Sequence, residues 1–326
     1  MWSCTAGRAC TAEHRVFSQR VNVPDHSPRP GFQRISRHHD DPPGIPFLSH
    51  PPSHVRLVKL VEPVRNSRDV IDPAWKKWVD LVTLSVDESR LPAWEDSVRI
   101  RESREVDAPL LHLATVRVVA GSASQFVRQL AGESGIPNVD RVDPLAVILA
   151  GIERDNSLLE ALAARLAIPA DGVAVLSQLS ALPVLLNAAR QLDPGTSRTW
   201  QRGYCPVCGA WPALAEMRGI QRERRMRCGC CSSDWMLPVL RCTFCNEIEH
   251  DKLAFLQTEE GEQQVRVETC STCRGYLKAF STLSALPFTT LVTRDLATVA
   301  FDLAARDRGY SRPATTAWQV QVEIVQ

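Results

Sequence analysis

The sequence has no cysteine through most of its length and almost no excess of charge. No cysteine lies between Cys10 and Cys205, so no disulfide framework is spread along the chain, and this distribution favours a reducing compartment. The chain contains 38 basic and 37 acidic side chains. This balance lacks the electrostatic signature of a protein that binds nucleic acid or a membrane surface.

Long apolar runs are also missing. No segment has the roughly 18 uninterrupted apolar residues that are needed to cross a bilayer. Residues 1–30 lack an apolar stretch of signal-peptide length, and Arg8, Arg15 and Arg20 are scattered instead of preceding one. We therefore expect a cytoplasmic protein without membrane insertion. With 326 residues, of which 44% are hydrophobic, the chain is long enough to bury a full core in several domains.

Eight of the eleven cysteines form four C-x-x-C pairs within residues 205–273. The pairs are Cys205/Cys208, Cys228/Cys231, Cys242/Cys245 and Cys270/Cys273. A C-x-x-C turn brings two sulfurs to one side of the backbone, and two such turns supply the four thiolates that tetrahedral zinc or rubredoxin-like iron prefers. A single pair is also compatible with a disulfide or a redox site, but four pairs in one segment predict two metal ions, iron or zinc.

The region around the pairs repeats one plan, which is a cysteine turn, a β-hairpin and a second cysteine turn. In the first half, one strand is predicted over 213–217 and a return strand ends at Met226. In the second half, one strand is predicted over 253–258 and the return strand runs through Val265 and Val267. This is the plan of a zinc ribbon or a rubredoxin fold, and it pairs the cysteines within each half. Pairing between neighbouring turns is the alternative. Cys230 is either a spare thiol or a ligand that exchanges with Cys231.

Apolar residues at helical spacing predict a helical domain before the cysteines. Helices are expected from Pro73, over 109–130, from Asp143, over 157–166 and from Asp171. The preceding residues, 1–52, are rich in proline, histidine and arginine, and we expect them to be disordered. The predicted fold class is therefore α+β and multidomain, with an all-α N-terminal domain, two tandem Cys4 domains and a C-terminal helix. The predicted boundaries are 1–52, 53–195, 196–240, 241–285 and 286–326.

The ligand set restricts the chemistry. A hydrolytic zinc enzyme needs an open coordination position, and four thiolates per metal leave none, so we do not expect an enzyme. A nucleic-acid-binding ribbon needs a basic surface, but acidic residues outnumber basic ones over 205–273. The cluster of Arg222, Arg224, Arg225 and Arg227 is interpreted as a solvated face or a contact for an acidic partner. Two functions remain for the cysteine region, which are structural metal sites and electron transfer of the rubredoxin type.

Several motifs resemble the formate dehydrogenase accessory protein family (FdhE), over about residues 55–313. They are Cys205-Pro206-Val207-Cys208-Gly209, Glu268-Thr269-Cys270-Ser271-Thr272-Cys273, Gly275-Tyr276-Leu277-Lys278, Asp295-Leu296-Ala297-Thr298 and Gly309-Tyr310-Ser311-Arg312. The resemblance implies a cytoplasmic assembly factor without turnover of its own, which binds the catalytic subunit of respiratory formate dehydrogenase. It also implies rubredoxin-like sites that hold iron, and it leaves a homodimer open. We expect Asp295 either to cap a helix or, like Arg312, to contact the partner.

Overall fold

The computed structural model describes residues 57–60, 73–99, 107–112, 114–191, 194–258, 264–313 and 321–325. Its helices are α1 (Lys76–Glu88), α2 (Ala120–Ser134), α3 (Pro144–Glu153), α4 (Asn156–Leu166), α5 (Ala170–Arg190), α6 (Pro194–Thr199), α7 (Phe288–Ala297) and α8 (Val299–Asp307). Its strands are β1 (Leu57–Leu60), β2 (Val98–Arg99), β3 (Thr115–Val119), β4 (Pro212–Arg218), β5 (Glu223–Cys228), β6 (Asp234–Met236), β7 (Leu253–Thr258), β8 (Val265–Cys270), β9 (Tyr276–Thr282) and β10 (Gln321–Val325). All described residues belong to one compact unit, and the predicted disorder of 1–52 falls outside them.

Helix α5 is the centre of the N-terminal part, and α1, α2, α3 and α4 all contact it. Its residues between Val173 and Ala188 are almost all buried. Helix α3 approaches closely at Gly151, where a Cβ atom would lie 2.0 Å from the carbonyl oxygen of Ser177. Only glycine permits this approach, because any side chain would collide with the α5 backbone. Helix α5 is also long and apolar enough to span a membrane, but 72% of its apolar window is buried, as in a core helix.

The mixed fold class is confirmed, with helices first and the cysteine region after them. The caps of α3 and α4 have a local origin, because Asp143 and Asp155 accept hydrogen bonds from the first backbone N–H groups of these helices. The helix predicted over 109–130 is wrong in its first half. Residues 115–119 form β3, which lies between β10 and β2 in a three-stranded sheet. Alternating burial along β3 fits this placement better than a helical period.

The two cysteine-containing halves share one seven-stranded sheet in the order β1-β7-β8-β9-β4-β5-β6. Each half contributes an antiparallel hairpin, β4–β5 in the first and β7–β8 in the second. The halves meet where β4 pairs in parallel with β9, with Leu214 opposite Lys278. The predicted hairpins are therefore present, and hydrogen bonds between strands continue from one half into the other.

The C-terminal helices begin earlier than the sequence pattern indicated. Helix α7 starts at Phe288, and Asp295 lies in its last turn, so the expected role of Asp295 as the N-cap of a helix is wrong. Thr298 separates α7 from α8. Phe301 and Ala305 of α8 pack with Leu256, Val267 and Tyr276 from the second half of the sheet.

Candidate metal centres

The four C-x-x-C turns have the same backbone conformation. In each, the N–H of the first cysteine donates to the carbonyl oxygen five residues later, over 2.8–3.0 Å. The residue after the second cysteine has a positive φ in all four, at Gly209, Ser232, Asn246 and Arg274. Glycine adopts this conformation without strain, as at Gly209, and asparagine tolerates it, as at Asn246. Ser232 and Arg274 adopt the same conformation although non-glycine residues rarely do.

The turns bring the cysteines together in two groups of four, and within each group the Sγ atoms all lie within 4.8 Å of one another. The first group contains Cys205, Cys208, Cys228 and Cys231, and the second contains Cys242, Cys245, Cys270 and Cys273. Each group therefore contains the two cysteine turns of one half, as the hairpins indicate. The alternative, in which neighbouring turns from different halves share a metal ion, is not the arrangement in the structure. Cys230 lies outside the first group and is half-buried.

The first group is fully enclosed. No cysteine in it is more than 2% exposed. The Sγ atoms of Cys205 and Cys231 are 3.5 Å apart, as are those of Cys208 and Cys228. The hydroxyl of Ser233 lies 2.9 Å from the Cys205 sulfur and 3.0 Å from the Cys231 sulfur, so it can donate to either.

The second group is more open. Cys242 and Cys270 are buried, but Cys273 is half-buried and Cys245 is exposed. The Sγ atoms are 3.7 Å apart in the pairs Cys242/Cys273 and Cys245/Cys270. One edge of this group therefore reaches the protein surface.

Both groups fit a tetrahedral metal ion. A zinc–sulfur bond of about 2.3 Å implies sulfur atoms about 3.8 Å apart, close to the separations in both groups. Backbone N–H groups point at the sulfurs from Val207, Cys230, Phe244 and Gly275, over 3.3–3.4 Å. Such donors stabilise thiolates and orient them as ligands. The two groups can therefore hold two metal ions.

The thiol pKa values show why a cation suits the first group. Hydrogen bonds from Cys205 and Cys228 hold the pKa of Cys208 well below its ordinary value. Burial raises the pKa of Cys228 and of Cys231 well above theirs. Thiols packed this closely ionise together only when a positive charge compensates them, and a metal ion supplies that charge.

The helical part covers the first group directly. The N–H groups of Leu110 and Leu111 donate to the carbonyl oxygens of Pro206 and Val207, over 2.7 and 2.9 Å. Arg154, between α3 and α4, donates to the carbonyl oxygen of Cys208 over 2.6 Å. Burial disfavours the charge of Arg154, but Cys208 and Cys230 outweigh that effect and raise its pKa. Sequence reasoning missed Arg154, because its contact joins residues 54 positions apart.

The arginine cluster predicted as a solvated face points largely into the protein. Arg224 and Arg227 are buried, and they pair with Glu268 and Glu216 respectively. Arg225 pairs with Asp234. Among the four arginines only Arg222 is exposed. The interpretation as a solvated face is therefore wrong for Arg224 and Arg227. Each of the three arginines that are not exposed pairs with a carboxylate on another strand of the same sheet.

Residues from the separate C-terminal motifs meet in one ionic cluster. The fully buried Lys278 has its Nζ atom 2.7 Å from Asp295 Oδ1 and 2.5 Å from Asp302 Oδ2. Arg312 Nη2 and the Tyr276 hydroxyl lie 2.9 and 3.0 Å from Asp302 Oδ1. Burial opposes the charge of Arg312, but Asp295 and Asp302 outweigh that effect and raise its pKa. This ionic cluster fastens α7 and α8 to β9 of the second half.

Comparison with curated proteins shows similarity over part of the chain. It is 34% identical over 131 residues to "Protein FdhE homolog" of Haemophilus influenzae (strain PittGG), covering 39% of this chain and 42% of that protein. It is 29% identical over 138 residues to "Protein FdhE" of Escherichia coli O127:H6, covering 41% of this chain and 44% of that protein. The matched segment spans about two fifths of the length of these relatives.

A crystal structure of the FdhE protein from Pseudomonas aeruginosa is similar over 77% of this chain and 95% of that chain, with a TM-score of 0.46 and 19% sequence identity. The family model described as "FdhE, C-terminal domain" matches residues 240–318, which include the second cysteine group and the ionic cluster. The resemblance to the FdhE family is confirmed, since residues 240–318 match the model of its C-terminal domain.

Proposed function

We propose that this chain is a cytoplasmic accessory protein for the assembly of respiratory formate dehydrogenase, without catalytic turnover of its own. The observation that carries the proposal is the match of residues 240–318 to the FdhE C-terminal domain, together with two groups of four cysteines. A site with four thiolate ligands has no free position for a substrate. The helical part and the cysteine region then serve as a scaffold that binds the catalytic subunit.

We propose that each cysteine group holds one metal ion, iron or zinc. Four thiolates accept either metal, so the ligands do not choose between them. Metal analysis combined with a visible absorption spectrum of anaerobically purified protein distinguishes the two, because an iron Cys4 site is coloured and a zinc site is colourless. We expect two metal ions per chain, and a metal-free folded protein would contradict the proposal.

Deletion of this chain from its source organism tests the accessory role. We expect formate dehydrogenase activity to fall sharply and to return when the chain is supplied from a plasmid. Tagged protein should also capture the catalytic subunit of formate dehydrogenase from the same cells. Unchanged activity after deletion would overturn the proposal, whatever the outcome of the capture.

An electron carrier of rubredoxin type is the second candidate function, because Cys245 places one edge of the second group at the surface. Electron transfer needs iron and an exposed path to it. A protein that contains only zinc and still restores formate dehydrogenase activity would exclude this function.

The predicted domain boundaries at 53–195, 196–240, 241–285 and 286–326 remain part of the proposal. Expression of residues 196–285 alone, with metal supplied, would test whether the cysteine region folds without the helical part. Because the helical part covers the first group, we expect this fragment to be less stable than the full chain.

A further inference from the structure

A polar cavity of about 960 Å³ lies between the helices and the first half of the seven-stranded sheet. The end of α1, the end of α5, helix α6 and strands β4 to β6 contribute to its wall. Cys231 and Ser233 also line it, so the cavity adjoins the first cysteine group. Neither the metal sites nor the ionic cluster uses this space.

The wall of the cavity is rich in arginine. Five arginines line it, namely Arg90, Arg190, Arg198, Arg218 and Arg225. The acidic side chains in the lining are Glu223 and Asp234, and Asp87 and Glu216 pair with Arg90 and Arg218 from just outside it. Five guanidinium groups therefore face four carboxylates, which leaves a formal excess of one positive charge. Because low-dielectric walls focus the field of such a cleft, this excess favours a negatively charged occupant.

Three of these arginines retain charge or donor groups for an occupant. Arg190 donates to the Asn187 side chain and to Ser89, which are neutral acceptors. Arg198 is exposed and has no ion pair with a described residue. The Nη2 atom of Arg218 is buried and has no hydrogen-bond partner among the described residues. A buried N–H group without an acceptor costs free energy that an anionic ligand would remove.

The remaining lining indicates which anion fits. Guanidinium groups match the geometry of carboxylates and phosphates. Among the described lining residues none is aromatic, so the wall offers no surface on which a nucleobase would stack. Val86, Leu186 and Met236 place aliphatic surface beside the arginines. A peptide that carries carboxylates between apolar groups can use both kinds of surface.

We infer that this cavity binds an acidic peptide segment of a protein partner. The identification of that partner as the formate dehydrogenase catalytic subunit rests on the proposed function. The binding itself requires only the charge and shape of the cavity.

Binding of a fluorescein-labelled hexaglutamate peptide to the full metal-loaded chain tests the inference at low ionic strength. The variant Arg90→Gln/Arg198→Gln removes two positive charges from exposed positions and leaves the buried pairs of the sheet intact. We expect hexaglutamate affinity to fall about tenfold in this variant. The control variant Arg128→Gln/Arg165→Gln changes the net charge equally at exposed positions on α2 and α4, and it should bind like the unmodified chain.

Three outcomes would overturn the inference. The first is that hexaglutamate does not bind, and the second is that its affinity falls equally in the control variant. The third is that inorganic phosphate displaces the labelled peptide at a lower concentration than unlabelled hexaglutamate does. Failure of the accessory function is recognised separately, because deletion of the chain would then leave formate dehydrogenase activity unchanged while hexaglutamate still bound. Conversely, restored formate dehydrogenase activity without peptide binding would overturn only the role of the cavity.

Discussion

The two cysteine groups have the same turns and different surroundings. The first lies in the largest apolar core, which also contains buried residues of α1, α2, α3 and α5. The second has one exposed cysteine, and the small apolar cluster in its half contains Leu256, Val267 and Tyr276. Because identical local geometry occurs in both, the difference comes from what packs against each group. We conclude that the first group supports the whole core, whereas the second mainly supports its own half.

The largest effect is expected from the first group. The variant Cys205→Ser/Cys208→Ser should lose one metal ion and destabilise the whole chain by about 5 kcal/mol or more, since metal binding and packing fail together. Urea unfolding followed by circular dichroism measures this loss. Cys230→Ser is the matched control and should retain both metal ions. An unchanged unfolding midpoint in the double variant would contradict the conclusion that the first group supports the whole core.

The ionic cluster should have the next largest effect. The variant Lys278→Met leaves Asp295 and Asp302 without their buried cation, and removal of one partner from a buried ion pair costs about 3–5 kcal/mol. Urea unfolding measures the change, and hydrogen exchange should show early opening of α7 and α8. Lys76→Met is the control, because its pair with Asp80 is exposed and should contribute less than about 1 kcal/mol. Equal effects of the two substitutions would show that the ionic cluster does not hold the helices.

A smaller effect is expected from the second group. The variant Cys245→Ser/Cys273→Ser should lose one metal ion and about 2–3 kcal/mol of stability, while the helical part keeps its circular dichroism signal. Metal analysis and hydrogen exchange over residues 242–282 test this expectation. Collapse of the helical part in this variant would show that both groups support the same core.

The smallest effect concerns the ion pair that joins the two halves. Glu268 of β8 accepts from Arg224 of β5 over 3.0 Å. Burial raises the pKa of Glu268, but Arg224 and Arg266 outweigh it, so the pKa is lowered in the folded chain. The stabilisation is therefore complete above the ordinary carboxyl pKa of about 4.3 and is lost as the pH falls through the lower folded value.

Comparison of the unmodified chain with Glu268→Gln between pH 7 and pH 3 checks this expectation by urea unfolding. The variant should be less stable at pH 7 by about 2 kcal/mol, and the difference should shrink as the carboxyl becomes protonated. A difference that stays constant over this range would show that the charge of Glu268 does not couple the halves.

Sequence patterns predicted the elements whose causes are local. The strands predicted over 253–258 and through Val265 and Val267 coincide with β7 and β8, because turn residues and alternation act over a few positions. The helix expected from residue 109 was wrong where Thr115–Val119 became a strand. Pairing with Gln321–Val325, about two hundred residues away, stabilises that strand, and no local signal reports such a partner.

The residues of the candidate sites also divide into those with a local sequence signal and those whose contacts depend on the packed fold. The spacing of Cys205, Cys208, Cys228 and Cys231 identified one group of four, because each C-x-x-C turn is complete within six residues. Sequence reasoning missed Arg154, which lies on the first group, and misplaced Arg224 and Arg227 on a surface. Their contacts depend on how separate strands and helices pack, and a single window of sequence does not contain that information.

By itself, the sequence determined the four cysteine turns, their hairpins and the family motifs near the C-terminus. Only the tertiary structure decided that the first group lies in the core while the second reaches the surface. It also decided that Tyr276 and Lys278 of one motif meet Asp295 and Arg312 of two others. The physical reason is that turn geometry arises from neighbouring residues, whereas burial and ion pairing arise from segments that only the packed fold brings together.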